Sequence, residues 1–307
     1  MKAIQDVINN IEKVIIGKRE VVELAVISLI SQGHVLIEDV PGTGKTMMAR
    51  ALAKSIDVDM KRLQCTPDLL PSDITGVPIY NQKTSEFVFR PGPVFTNFLL
   101  ADEVNRATPR AQSALLECME EFRVSVDGET HVLPPLFMVL ATQNPIDMAG
   151  THVLPEAQLD RFFVRLSVGY PSLDGEVSIM NAQTSKHPID DLKAVATEAS
   201  IVEAREEVRK IHLNADVARY IAEITSATRS HPDLRLGASP RGTLALAKGA
   251  RAYAYLRGRD YVTPDMVKSM AHAVLEHRLI IRPQAASLGK TSKIILKEVL
   301  NQVTPPI

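Results

Sequence analysis

Lys45 and Thr46, directly after Gly44, are the residues whose chemical use is plainest from type and spacing. Residues 39–46 read DVPGTGKT and follow the apolar run His34-Val35-Leu36-Ile37. A strand that runs into such a loop and then into a helix makes an anion cradle. The backbone of Val40, Pro41, Gly42, Thr43 and Gly44 wraps the phosphates, Lys45 reaches the β- and γ-phosphates, and the Thr46 hydroxyl takes a place on Mg²⁺. The helix expected from Met47 onward adds the positive end of its dipole. A nucleoside triphosphate is therefore the default ligand. The usual pattern opens with a glycine, and here that position is Asp39. The strand-to-helix context outweighs this departure, since chance turn chemistry seldom ends in Gly-Lys-Thr between two such elements.

Other polar residues sit at the ends of apolar runs. Phe98-Leu99-Leu100-Ala101 is followed by Asp102 and Glu103. Adjacent acids at a strand end are costly unless a cation or a reaction uses them. Asp102 suits the Mg²⁺ shell, and Glu103 suits the base that polarises an attacking water. Val139-Leu140-Ala141-Thr142-Gln143 leads to Asn144, an amide able to hold the γ-phosphate or the water. Arg241 follows Ser239 as N-cap and Pro240 as first helical residue, where a cation opposes the helix dipole and is better explained by a phosphate opposite. Arg161 and Arg165 flank Phe162-Phe163-Val164, and either fits an arginine finger or a salt bridge to Asp160.

The elements that must position these groups alternate in the first half. Helical periodicity covers residues 4–14 and 20–31, with a further helix from Pro109, N-capped by Thr108, to about Phe122. Strands are expected at 34–37, 61–65, 97–100, 136–142 and 162–168, which indicates a parallel sheet with helices on both faces and ligands at the strand C-terminal ends. Hairpins are expected at 124–132, where Asp127-Gly128 suits a type I′ turn, and at 77–89. From about Leu192 the pattern is helical throughout, with no strong strand signal. This divides the chain into an α/β core at 1–171, a linker at 172–190 and a helical domain at 191–307.

Composition excludes several classes. The 307 residues carry 35 basic and 36 acidic side chains, so no global field favours nucleic acid or an anionic membrane. The N-terminus lacks the layout of a signal peptide, and the most apolar early stretch, residues 21–30, is too short to span a bilayer. Two cysteines, Cys65 and Cys118, imply no disulfide framework and point to a reducing cytoplasm.

The ordered motifs resemble those of MoxR-type AAA+ ATPases over almost the whole chain. The carrying segments are IEDVPGTGKT (37–46), QCTPDLLPSDITG (64–76), FRPGPVF (89–95), LLADEVNRATPRAQSALLECMEE (99–121), LATQNP (140–145), LPEAQLDRF (154–162) and ASPRG (238–242). The family commonly has the Asp-Val-Pro-Gly form of the loop. The resemblance implies an AAA+ P-loop core with a helical lid, and Asp102 and Glu103 as the Walker B pair. Asn144 would be the first sensor, and Arg241 the second, reaching from the lid. Arg161 matches the finger, Arg165 less well, and Ile16 and Gly17 belong to the adenine-contacting stretch. The hairpins correspond to the helix-2 insert and the pre-sensor-1 hairpin, facing a central pore. The resemblance further implies ATP and Mg²⁺ bound between subunits of a homo-oligomeric ring, usually a hexamer. It also implies chaperone-like work on client proteins, often with a VWA-domain partner, in metal insertion or complex maturation.

Two rival functions follow from the same residues. An AAA+ motor on nucleic acid needs basic hairpins, whereas 124–132 carries Asp127, Glu129 and His131 with no lysine or arginine. A nucleotide-gated scaffold with little hydrolysis has no use for Glu103, Asn144 and Arg161 together.

Overall fold

The computed structural model describes residues 1–144, 151–182 and 187–306. Its strands are β1 (Val35–Glu38), β2 (Met60–Gln64), β3 (Gly76–Asn81), β4 (Glu86–Pro91), β5 (Phe98–Asp102), β6 (Arg123–Val126), β7 (Glu129–Val132), β8 (Met138–Gln143), β9 (Val164–Leu166), β10 (Leu234–Leu236) and β11 (Ile280–Ile281). Five of them form one parallel sheet in the order β2-β5-β8-β1-β9. Its central strands are almost wholly buried, which is why they read as continuous apolar runs. Alternation along the strands sends Ile37, Leu100 and Leu140 to one face and Leu36, Leu99 and Val139 to the other.

Helices α1 (Lys2–Glu12) and α2 (Arg19–Ile30) precede the sheet, and α3 (Lys45–Ile56) opens at the phosphate loop. Short α4 (Pro71–Thr75) leads to the first hairpin. Helix α5 (Pro109–Glu121) starts as expected, Thr108 Oγ1 accepting from the Ala111 N–H at 3.3 Å, and ends where Phe122 turns left-handed at φ 52°. Both expected hairpins form, β3–β4 and β6–β7. Asp127 and Gly128 have φ of 50° and 83°, the signs that a type I′ turn requires. The hairpins touch: Phe89 of β4 stacks on His131 of β7 with ring centroids 3.9 Å apart.

Two expectations change. The segment 172–190 is not plain linker, because α7 (Leu173–Ala182) lies in it after the turn α6 (Glu156–Leu159) and β9. The helical half, α8 (Glu198–Lys210), α9 (Ala215–Ser230), α10 (Pro240–Leu256), α11 (Pro264–Leu275), α12 (Pro283–Ser287) and α13 (Ser292–Gln302), contains the antiparallel pair β10–β11. Strands of two and three residues are too short to show alternation in a sequence.

One apolar core runs from α1 and α2 across a face of the sheet into α8, α10, α11 and α13. The buried Glu23 of α2 fixes the same contact: Arg257, just after α10, donates to its two oxygens at 3.2 and 2.6 Å.

Candidate functional site

The phosphate loop leaves β1 at the C-terminal edge of the sheet. Gly42 and Gly44 have φ of 84° and 89°, with open space where a Cβ would stand, so conformation and not crowding demands glycine there. Asp39 is buried and has a structural use. Its carboxylate accepts from the Val40 N–H at 2.8 Å and the Gly169 N–H at 2.6 Å, while its own N–H bonds Gln143 O at 3.2 Å. The residue at the missing glycine thus ties the loop to the exits of β8 and β9. Lys45 Nζ rests on the Asp39 carbonyl at 2.7 Å, and the Thr43 hydroxyl donates to Val40 O at 3.3 Å. Thr46 is the second residue of α3 and half-buried. Beside the loop lies a cavity of about 220 Å³, lined among others by Ile16, Met47, Val168, Ile179 and Pro188. Gly17, at φ 71°, turns the chain between the lining residues Ile16 and Lys18.

The carboxylate pair stands at the same edge. Asp102 ends β5; its Oδ1 accepts from the Thr142 hydroxyl at 2.6 Å and its Oδ2 from Arg62 Nη2 and Nε at 2.6 and 3.1 Å. Glu103 adopts a left-handed φ of 56°, and its N–H bonds the same Thr142 oxygen at 2.8 Å. Such a conformation costs a non-glycine residue about 1–3 kcal/mol and is kept where its surroundings impose it. Its carboxylate meets Arg106 Nη1 at 3.0 Å and Gln64 Nε2 at 3.3 Å. Asn144 directly follows β8 at this edge, whereas Pro145 of its motif lies outside the described residues. The neighbouring Cys65 is no nucleophile: burial, with the charges of Asp102 and Glu103, pushes its thiol up to about 12.

The arginines are elsewhere. Strands β1 and β9 are parallel with Val35 opposite Val164, so Arg161, before β9, and Lys45, beyond β1, lie at opposite sheet edges. The four-residue β1 alone separates them by about 13 Å at ~3.3 Å per residue. Arg161 Nη2 pairs with Glu120 Oε2 at 3.2 Å, near the end of α5. Arg241, from the first turn of α10, pairs with the other oxygen of Glu120. It therefore reaches from the helical half not to its own phosphate loop but to the N-terminal edge. Arg165 is held within the chain by Glu38 at 2.9 Å and Glu276 at 3.8 Å. Neither arginine takes Asp160, which pairs with Arg278 at 2.9 Å. Burial lowers Arg278 to about 10, so it remains a cation at neutral pH.

Comparison with known proteins fits this geometry. Residues 34–164 match the model of the "ATPase family associated with various cellular activities (AAA)", and residues 226–299 match the AAA lid domain. The chain is 39% identical to Chaperone MoxR1 of Mycobacterium tuberculosis over 96% of this chain and 80% of that one. It is 29% identical to Protein MoxR of Paracoccus denitrificans, covering 88% and 86%. The chain belongs to the MoxR family of AAA+ ATPases. The uncharacterized protein YeaC of Bacillus subtilis is 49% identical over 98% of this chain and 94% of its own length. A crystal structure of a candidate ATPase from Cytophaga hutchinsonii superposes with a TM-score of 0.92 at 37% identity, covering 100% and 96%.

Within this MoxR-family site, sequence reasoning passed over several residues. Thr142 carries a signal in hindsight, as a polar residue inside an apolar strand; it bonds both Asp102 and the Glu103 backbone. Arg62 and Gln64, on the expected strand at 61–65, and Ile179, inside the expected linker, have no local signal. No helix of the described residues is long and apolar enough to cross a membrane.

Proposed function

We propose that this MoxR-family chain binds ATP with Mg²⁺ at its phosphate loop, hydrolyses it between neighbouring copies in a ring, and uses the cycle to remodel client proteins. One observation carries the reading: the phosphate loop and carboxylates occupy one edge of the sheet, and Arg161 and Arg241 meet at the other. A chain so built cannot bring both halves to one nucleotide, but two copies can.

The residues fit the ligands. Val40, Pro41, Gly42, Thr43 and Gly44 surround the phosphates, Lys45 exchanges the Asp39 carbonyl for them, and Ile16 and Gly17 border the base. Thr46 and Asp102 supply hard oxygen donors for Mg²⁺. Asp102 already faces a cation, since Arg62 stands on it. Mg²⁺, when bound with the nucleotide, neutralises charge on the phosphate oxygens. Glu103, released by Arg106 and Gln64, takes a proton from the attacking water while Asn144 orients it. Arg161 and Arg241 of the adjoining copy exchange Glu120 for the terminal phosphate and stabilise its charge in the transition state.

Work on proteins is supported by the Mycobacterium relative named a chaperone and by Tyr80, Phe87 and Val88, which the first hairpin leaves exposed. A VWA-domain partner and metal insertion belong to the proposal on the strength of the family resemblance. Nucleic acid is disfavoured, because Arg123, which opens β6, is paired with Glu121 at 2.8 Å and the hairpin otherwise adds acids.

Light scattering on the Glu103→Gln variant, with and without ATP and Mg²⁺, tests the reading. ATP should raise the mass to that of a closed ring of about six copies. A monomer that persists with ATP bound overturns it.

A further inference from the structure

One buried guanidinium locks the segment that carries Arg161. The Arg278 side chain is 2% exposed. Its Nε donates to Asp160 Oδ1 at 2.9 Å, its Nη2 to the carbonyls of Asp160 and Phe162 at 3.2 and 2.6 Å, and its Nη1 to the Phe163 carbonyl at 3.2 Å. These bonds grip the backbone on both sides of Arg161. The second oxygen of Asp160 accepts from Ser239 Oγ at 2.8 Å. Ser239 is the N-cap of α10, and Arg241 is the second residue of that helix. The first turn of α10 also lies directly on Arg278, since a Cβ at Gly242 would approach its Cδ to 3.1 Å.

A single ion pair therefore sets the roots of both edge arginines, whose tips converge on Glu120. Stability alone is a poor reason for such a pair, because buried ion pairs are often replaceable by apolar residues without loss. Fixed geometry is a better one, since misplacing a reacting group by 1 Å can cost roughly 100-fold in rate.

We propose that Arg278 and Asp160 are positioning residues, which hold Arg161 and Arg241 as one preset pair for the nucleotide of a neighbouring copy. This rests on the reading that the two arginines act across a subunit boundary.

The test compares Arg278→Lys, Asp160→Asn, Ser239→Ala and Ser239→Thr with Arg161→Ala and Arg241→Ala. Arg278→Lys and Asp160→Asn should lower kcat by roughly 100-fold while KM and the affinity for a fluorescent ATP analogue stay unchanged. Ser239→Ala should lower kcat less, and Ser239→Thr should restore it. Ser239→Ala also guards against misfolding in the other two. Mixing Arg278→Lys or Asp160→Asn subunits with Glu103→Gln subunits should recover turnover, because the latter lend intact arginines to intact Glu103 sites. A globally damaged subunit would not be rescued. Normal kcat in Arg278→Lys and Asp160→Asn, beside loss in Arg161→Ala and Arg241→Ala, overturns the positioning role. Absence of rescue also overturns it. Full turnover in Arg161→Ala and Arg241→Ala instead defeats the trans-arginine reading on which it stands.

Discussion

At the C-terminal edge of the sheet, carboxylates are held by arginines of their own chain, Arg62 on Asp102 and Arg106 on Glu103. At the N-terminal edge the signs are exchanged: Glu120 holds Arg161 and Arg241. Each edge keeps the charged groups proposed for the reaction neutralised by partners on the half-exposed surface, where an ion pair contributes at most about 1 kcal/mol. Under the proposed function, such pairs are easily traded for a nucleotide. The supporting parts differ. The first edge is shaped by backbone, through left-handed Gly42, Gly44 and Glu103. The second is shaped by buried side chains, Arg278 and His34 among them. Local backbone geometry can be encoded in a short motif, whereas a network of side chains is assembled from distant segments.

Variants at the two edges should fail in different ways. The largest effect is expected from Arg161→Ala, which should cut steady-state turnover by roughly 10³–10⁵ with nucleotide binding retained. Lost binding would place Arg161 at its own chain's nucleotide and collapse the contrast. Glu103→Gln should lower turnover by about 10²–10⁴, again with binding kept; near-normal phosphate release would remove Glu103 as the base.

Acid should weaken the N-terminal edge. Burial lowers the His34 imidazole from 6.5 to about 4, and His277 is pushed well below its ordinary value by burial and the adjacent Arg278. Above pH 6.5 both states of the chain are neutral at His34. Below it the unfolded chain takes up the proton first, so stability is lost as pH falls from 6.5 towards 4, on the order of 3 kcal/mol for His34. Urea midpoints at pH 7 and pH 5 measure this, and His34→Gln should flatten the difference.

Lys45→Ala should weaken ATP binding about 10- to 100-fold, the worth of one charge-assisted contact, as read by titration with a fluorescent analogue. Unchanged affinity would refute the loop assignment. The smallest effect belongs to Glu120→Gln. Freeing the two arginines should lower the ATP concentration needed for assembly by a few-fold, consistent with a half-exposed pair. No change would mean that Glu120 does not compete with the nucleotide.

Legibility in the sequence followed the same division. The loop at 39–46, the acids at 102–103, the Thr108 cap and the Asp127-Gly128 turn were readable because each is a local pattern with a local cause. The central strands β1, β5 and β8 were readable because they are buried on both faces, whereas the edge strand β2 is largely exposed. The joint use of Glu120 and the bond between Asp160 and Arg278, 118 residues apart, have no local pattern. Asp39, in place of the usual glycine, was legible only as a departure. Its reason, two backbone amides converging on one carboxylate, needs β9 in place.

The apolar core shared by α1, α2, the sheet and the helical half bears on how the chain folds. A helical piece cut out at about residue 191 would expose the surface that Ile4, Val26 and Val164 now cover together with Leu246 and Val274. Heat or denaturant should therefore melt the two halves in a single cooperative transition rather than one after the other.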